Sequence, residues 1–152
     1  MDIRTPTRSD LAGLEQIVEK TGLFPSELLA EMLDPFWAER PDAGLWFTAK
    51  IEGRAVGFTY LAPEPMTDGT WNMRALAVLP FGQGQGLARA LCRHSVRHLA
   101  GIGARLLVVD TSGRHEFAVA RRFYGAIGYK EVSRIPDFWA AGDDKVTFIC
   151  PL

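Results

Sequence analysis

Pro80-Phe81-Gly82-Gln83-Gly84-Gln85-Gly86-Leu87-Ala88 is the densest cluster of glycine in this chain and lies at a change of hydrophobic period. It follows an apolar stretch of strand character, Ala75-Leu76-Ala77-Val78-Leu79, and precedes a stretch of helical periodicity. Three glycines at alternate positions therefore join a strand to a helix. Glycine lets the backbone turn sharply and approach a ligand closely, and the first amides of the following helix have no partners of their own. Such a turn is a ready anion site, phosphate above all. Two well-known phosphate motifs do not fit it. A dinucleotide fingerprint wants a small residue at position 89, where Arg89 stands, and an early strand-turn-helix, whereas three strands come first here. A P-loop would need Gly-Lys-Ser/Thr, and none follows. A turn that only changes the direction of the chain is the plain structural alternative.

Working outward, Asp2-Ile3-Arg4 reads as a short edge strand, and Thr7 with Asp10 three residues on reads as a capping signal. Leu11, Leu14, Ile17 and Val18 then recur at helical spacing until Gly22, and a second helix is expected from Ser26 to about Leu33, ending before Pro35. Leu45 to Lys50 and Ala55 to Leu61 read as a hairpin about Glu52-Gly53-Arg54. Ala62 to Gly69 carries two prolines and a glycine and reads as a loop before the strand Trp71 to Val78. Gln85 to Ala100 is the helix after the glycine turn. Arg105 to Asp110 is a continuous apolar run, the pattern of a strand buried on both faces. Phe117 to about Ala126 is a helix, Tyr129 to Ile135 and Lys145 to Ile149 are strands, and Asp137 to Asp144 is the loop between them. The order β-α-α-β-β-β-α-β-α-β-β implies an α/β (α+β) fold around one mixed, mostly antiparallel sheet of about seven strands with four helices.

With 152 residues, 47% of them hydrophobic, the chain suits a single domain over residues 1–152. A formal charge of −1 with no long run of like charge excludes a nucleic-acid footprint and favours a small ligand. The N-terminus has no apolar leader and no window reaches a membrane span, so a cytoplasmic protein with no membrane partner is expected. Cys92 and Cys150 have none of the spacings of metal or redox motifs and read as two reduced, partly buried thiols.

Gln83-x-x-Gly86-x-Ala88, preceded by Val78 and Pro80, resembles the acetyl-CoA motif of the GNAT superfamily of N-acyltransferases. Ala120-Arg121-Arg122-Phe123-Tyr124-Gly125-Ala126-Ile127-Gly128-Tyr129 resembles the family's Ala-x-x-x-Tyr-x-x-x-Gly-Phe/Tyr segment, and the order of elements agrees over the whole chain. Arg134 to Trp139 with Gly142-Asp143-Asp144 resembles the ending of one subgroup. The resemblance implies a sheet splayed between its fourth and fifth strands and acetyl-CoA as co-substrate, without a metal. The amides from Gln83 through Gly84, Gln85, Gly86 and Leu87 to Ala88 would wrap the pyrophosphate at the helix N-terminus, with Arg89 near a CoA phosphate. Leu76, Ala77 and Val78 would offer free peptide groups to the pantetheine arm, the Val78 amide polarising the thioester carbonyl. Tyr124 would protonate the departing thiolate, a task that suits a phenol with a pKa of about 10.

The base is the point of departure from the family. Many members carry a Glu on the fourth strand, and alignment from Val78 puts Asn72 there, which cannot take up a proton. Asp110, at the end of the strand facing the acetyl group, is the preferred carboxylate; a cap for the turn Thr111-Ser112-Gly113 is its alternative role. Glu64, Asp68 and Asp137 lie in loops able to edge the acceptor pocket, and Trp37 and Trp139 fall in segments that border it in this family. Phe117 stands where the family pattern has Asn. Arg89, Arg93 and Arg97 form a solvated face, and His94 and His98 half-buried positions rather than a metal site. The reading is an N-acetyltransferase acting on a primary amine of a small molecule or peptide, as monomer or homodimer. Alternatives are a non-catalytic CoA-binding or sensing module, which Asn72 favours, and a protein N-terminal or lysine acyltransferase.

Overall fold

Thr7 starts the first helix by a reciprocal cap: its amide donates to Asp10 Oδ2 at 2.8 Å, and a 3-10 turn over Arg8–Asp10 leads into helix α1 (Leu11–Thr21). The computed structural model, which describes residues 1–152, places helices α2 (Leu29–Trp37), α3 (Leu87–Gly101) and α4 (Ala118–Ala126) about a seven-stranded sheet. Its strands are β1 (Asp2–Arg4), β2 (Leu45–Ile51), β3 (Arg54–Pro63), β4 (Thr70–Val78), β5 (Leu106–Ser112), β6 (Lys130–Ala140) and β7 (Asp143–Pro151). They lie in the order β1-β2-β3-β4-β5-β7-β6, and only β4 and β5 run parallel. A parallel pair needs a crossover, and α3 supplies it.

Side-chain alternation along β2 shows how the sheet is covered. Phe47 meets the edges of His94 and His98 on α3 at 4.6 and 5.1 Å, whereas its neighbour Trp46, on the other face, stacks on Tyr60 at 4.2 Å. Leu14, Ile17 and Val18 of α1, Leu29 and Leu33 of α2 and Leu91 and Leu99 of α3 are fully buried against the strands. The core is thus built on both faces.

Several expected boundaries move. Pro35 lies inside α2 rather than after it, because the helix continues through Ala38 N to Asp34 O at 2.9 Å and is anchored by Leu29 and Leu33. The break after β3 shrinks to Glu64–Gly69, since Pro63 still pairs with Trp71 and the Glu64 amide donates to Thr70 O at 2.8 Å. Segment Asp137–Asp144 is not a loop. Asp137 is a bulge in β6 with φ of +54°, its carboxylate accepting from Gly142 N at 2.7 Å, and only Ala141-Gly142 separates β6 from β7. Helix α3 begins at Leu87, not Gln85, and His98 is exposed while His94 is half-buried. Strand β5 buries Leu107 and Val109 but leaves Leu106, Val108 and Asp110 half-buried. The expectation of two buried faces fails there because alternate residues point to a face of β5 that is only partly covered.

Candidate active site

The glycine turn presents free donors in one place. Gly84 and Gly86 have φ of +79° and +80° with open space around them, so the left-handed backbone rather than crowding demands glycine. The first α-helical bond of α3 is Ala90 N to Gly86 O at 2.9 Å, so the amides of Leu87, Ala88 and Arg89 remain unpaired, as do those of Gly84 and Gly86. Gln83 and Gln85 differ from expectation. Their amides are spent on Pro80 O and Gly82 O, at 3.2 and 3.4 Å. Their side chains brace the turn instead, Gln83 Nε2 on Val78 O at 3.2 Å and Gln85 Nε2 on Phe81 O at 2.7 Å.

Strands β4 and β5 pair over three positions only, Thr70 with Leu106, Trp71 with Leu107 and Asn72 with Val108. Beyond Asn72 they part. Leu79 N donates back to Val56 O on β3 at 2.8 Å, and because successive amides of a strand point alternately, the Val78 amide faces the split. A cleft of about 620 Å³ runs from this edge to the glycine turn, within the range of small-ligand sites. Leu76, Ala77 and Val78 form one wall, Gly84, Gly86, Leu87, Ala88 and Arg89 the turn end, and Phe117, Ala120, Phe123 and Tyr124 the wall from the α4 side. Thr21 and Leu23 also border it, which the sequence reading missed. Gln85 does not line it.

Tyr124 is buried to 8% exposure, its ring 5.6 Å from Phe148 and 5.9 Å from Tyr129. Burial, and secondarily the Cys92 thiol, raise its pKa above that of an ordinary phenol, so the proton stays on at neutral pH. Cys92 itself is buried in a separate hollow of about 220 Å³ behind α3, where burial pushes its thiol up to about 12. It does not line the cleft, and such a thiol is a poor nucleophile.

Across the sheet from Tyr124 lies a second set of groups. Phe148 pairs with Val109 beneath Tyr124, so the next residues, Asp110 and its partner Thr147, point through the opposite face. Thr147 Oγ1 donates to Asp110 Oδ1 at 2.7 Å. Asn72 Nδ2 donates to Asp110 Oδ2 at 3.1 Å and to Glu64 Oε1 at 3.0 Å. Asn72 therefore joins two carboxylates at the fork where β4 and β5 separate. Asp110 does not cap the Thr111-Ser112-Gly113 turn; Ser112 Oγ does, accepting from Arg114 N at 3.0 Å.

Other expected site residues fall elsewhere. Trp37 is tied to the N-terminal segment, its Nε1 donating to Pro6 O at 3.1 Å beneath the Arg8 guanidinium. Asp137 is committed to the β6–β7 turn, and Asp68 is exposed beside Arg105. Trp139 lies against the strand residue after Asp110, donating from Nε1 to Thr111 O at 3.3 Å.

The acetyltransferase (GNAT) family profile matches residues 13–129. The chain belongs to this family, and membership indicates an acyltransferase. It is 27% identical over 150 residues to the uncharacterized N-acetyltransferase MJ1530 of Methanocaldococcus jannaschii, covering 98% of this chain and 90% of that one. A crystal structure of a GNAT-family protein from Desulfovibrio desulfuricans superposes with a TM-score of 0.92 at 30% identity, over 99% of this chain and 98% of that one. The same fold is seen in an aminoglycoside 6'-N-acetyltransferase complexed with coenzyme A, with a TM-score of 0.82 at 17% identity over 99% and 97% of the two chains. The mixed seven-stranded sheet, the four helices and the parting of β4 from β5 are those the sequence resemblance implied.

Proposed function

We propose that this chain, as one domain over residues 1–152, transfers an acetyl group from acetyl-CoA directly to a primary amine of a small molecule or peptide. The observation that carries the reading is the continuity of the cleft: free amides at the glycine turn, an unpaired Val78 amide at the split, and Tyr124 on the wall beside it. Coenzyme A is a pyrophosphate with a long thiol-ended arm, and these donors match it from end to end. The amides of Gly84, Gly86, Leu87, Ala88 and Arg89 bind the pyrophosphate, favoured by the α3 dipole. Leu76 and Ala77 flank the arm.

The Val78 amide holds the carbonyl oxygen, a contact worth roughly 3 kcal/mol where it tightens on the developing oxyanion. Asp110 takes a proton from the incoming ammonium, directly or through water. The freed amine forms the C–N bond and passes its second proton to water, the C–S bond breaks, and Tyr124 gives its hydroxyl proton to the thiolate and regains one from solvent. No acyl-cysteine is needed. Trp139 borders the acceptor entrance.

Kinetics on two variants test the assignment. Tyr124→Phe is expected to lower kcat about 100-fold with acetyl-CoA affinity unchanged. Asp110→Asn is expected to displace the acidic limb of the pH–rate profile. A Tyr124→Phe enzyme at wild-type rate removes the acid, and an unmoved limb removes the base. Tight acetyl-CoA binding without turnover on any amine would favour the sensing module instead.

A further inference from the structure

Resting on the acyltransfer reading, the geometry points to an acceptor subsite made of Asn72, Glu64 and Asp110 that selects amines carrying a second positive charge. Asn72 occupies the position from which a base is missing, and its side chain is far from idle. Both hydrogens of its Nδ2 are used, one on Glu64 Oε1 at 3.0 Å and one on Asp110 Oδ2 at 3.1 Å. The reverse amide orientation would set its oxygen against two carboxylates, so charge fixes which end points where. Asn72 is nine-tenths buried, yet its Oδ1 accepts no hydrogen bond from the chain. The fork therefore offers carboxylate and amide oxygens, and the Thr147 hydroxyl is committed to Asp110.

Charge sharpens this into a substrate class. None of the ion pairs of the protein includes Glu64 or Asp110. Lys145, whose neighbour but one on β7 is Thr147, keeps its ammonium over the Phe138 ring at 4.2 Å. Two carboxylates bonded to one nitrogen have their bonded oxygens at most about 6 Å apart. One ammonium leaves one of these negative charges unmatched. A diamine matches both: the reacting nitrogen gives its proton to Asp110 and the distal ammonium stays paired with Glu64. Asn72 is then a positioning residue, holding the half-buried carboxylate at the end of β3 in register with the one on β5.

Putrescine, butylamine and γ-aminobutyrate share one chain length and differ at the far end. We expect kcat/KM to fall about tenfold from the diamine to the monoamine and further for the amino acid, mainly through KM. In Glu64→Gln the diamine-to-monoamine ratio should fall to about one. Asn72→Leu, which releases both carboxylates, should raise KM for putrescine more than it lowers kcat. Calorimetric titration of putrescine into the protein saturated with CoA gives the same comparison without turnover, and circular dichroism checks that each variant is folded. A monoamine as good as the diamine, or a Glu64→Gln enzyme that keeps the wild-type preference, overturns the subsite and leaves the acyltransfer reading standing. No turnover with any amine overturns both.

Discussion

Cys92 and Tyr124 are two buried acids with opposite expected fates in catalysis. The thiol, pushed up to about 12 by burial, lies in the hollow behind α3, whereas the phenol lines the cleft. Cys92→Ala should therefore retain acetyl transfer, at a stability cost of about 1 kcal/mol for the small cavity it opens. Loss of activity in a folded Cys92→Ala protein, seen in the thiol-release rate, would restore the thiol to the mechanism. Asn72 shows the limit of reading residues singly. By type it is a lost base; by position, with one amide shared between Glu64 and Asp110, it organises two carboxylates. Nothing in the sequence near position 72 signals that link, which needs the parallel register of Asn72 with Val108 to bring residues from three separate segments together.

At the scale of elements, the glycine turn and the helix after it were legible because their physics is local. Positive φ favours glycine, and the first amides of a helix are free wherever it starts. What local pattern did not show was which amides the turn consumes, since Gln83 and Gln85 bond back to Pro80 and Gly82. Gly86→Ala should cost about 1–2 kcal/mol through backbone strain alone, because a Cβ there meets nothing within 4 Å. Its acetyl-CoA Kd, measured by calorimetry, should rise about tenfold as the amides of Gly86 and Leu87 are displaced. An unchanged Kd would move the pyrophosphate elsewhere. Pro35 and Asp137 misled for a shared reason. Each is a breaker by type, and each is overridden by neighbours: buried Leu29 and Leu33 hold α2 through the proline, and bonds to Gly142 and Asp144 hold the Asp137 bulge inside the hairpin.

At the scale of the molecule, one ion network ties the N-terminal edge together. Lys50 Nζ lies 2.7 Å from Asp10 Oδ1 and Arg4 Nη1 3.1 Å from Oδ2, so β1, β2 and the start of α1 meet at one carboxylate. Burial by itself would raise the Asp10 pKa; hydrogen bonds from Lys50 and Thr7 and the Arg4 charge outweigh it and hold the group at about 2, against 3.8 for a free Asp. A depressed carboxylate stabilises the fold above its unfolded pKa and loses that contribution as pH falls through the folded one. Asp10→Asn should therefore lower the urea-unfolding free energy by about 2 kcal/mol near neutral pH, with the gap from wild type closing between 3.8 and about 2. A gap independent of pH would mean that Asp10 acts by packing alone. The split between β4 and β5 lies mid-sheet, with β3 and β4 between β2 and the opening. The substitution is expected to leave the KM for acetyl-CoA unchanged.

Direct transfer from acetyl-CoA to an amine across the split between β4 and β5, as proposed, passes through no acetylated form of the protein. Its most direct test is mass spectrometry of the wild-type protein incubated with acetyl-CoA, first alone and then with an amine. Unmodified protein is expected in the first sample, and equal amounts of free CoA and N-acetylated amine in the second. An acetylated protein in the first sample, chasing to product when amine is added, would contradict it.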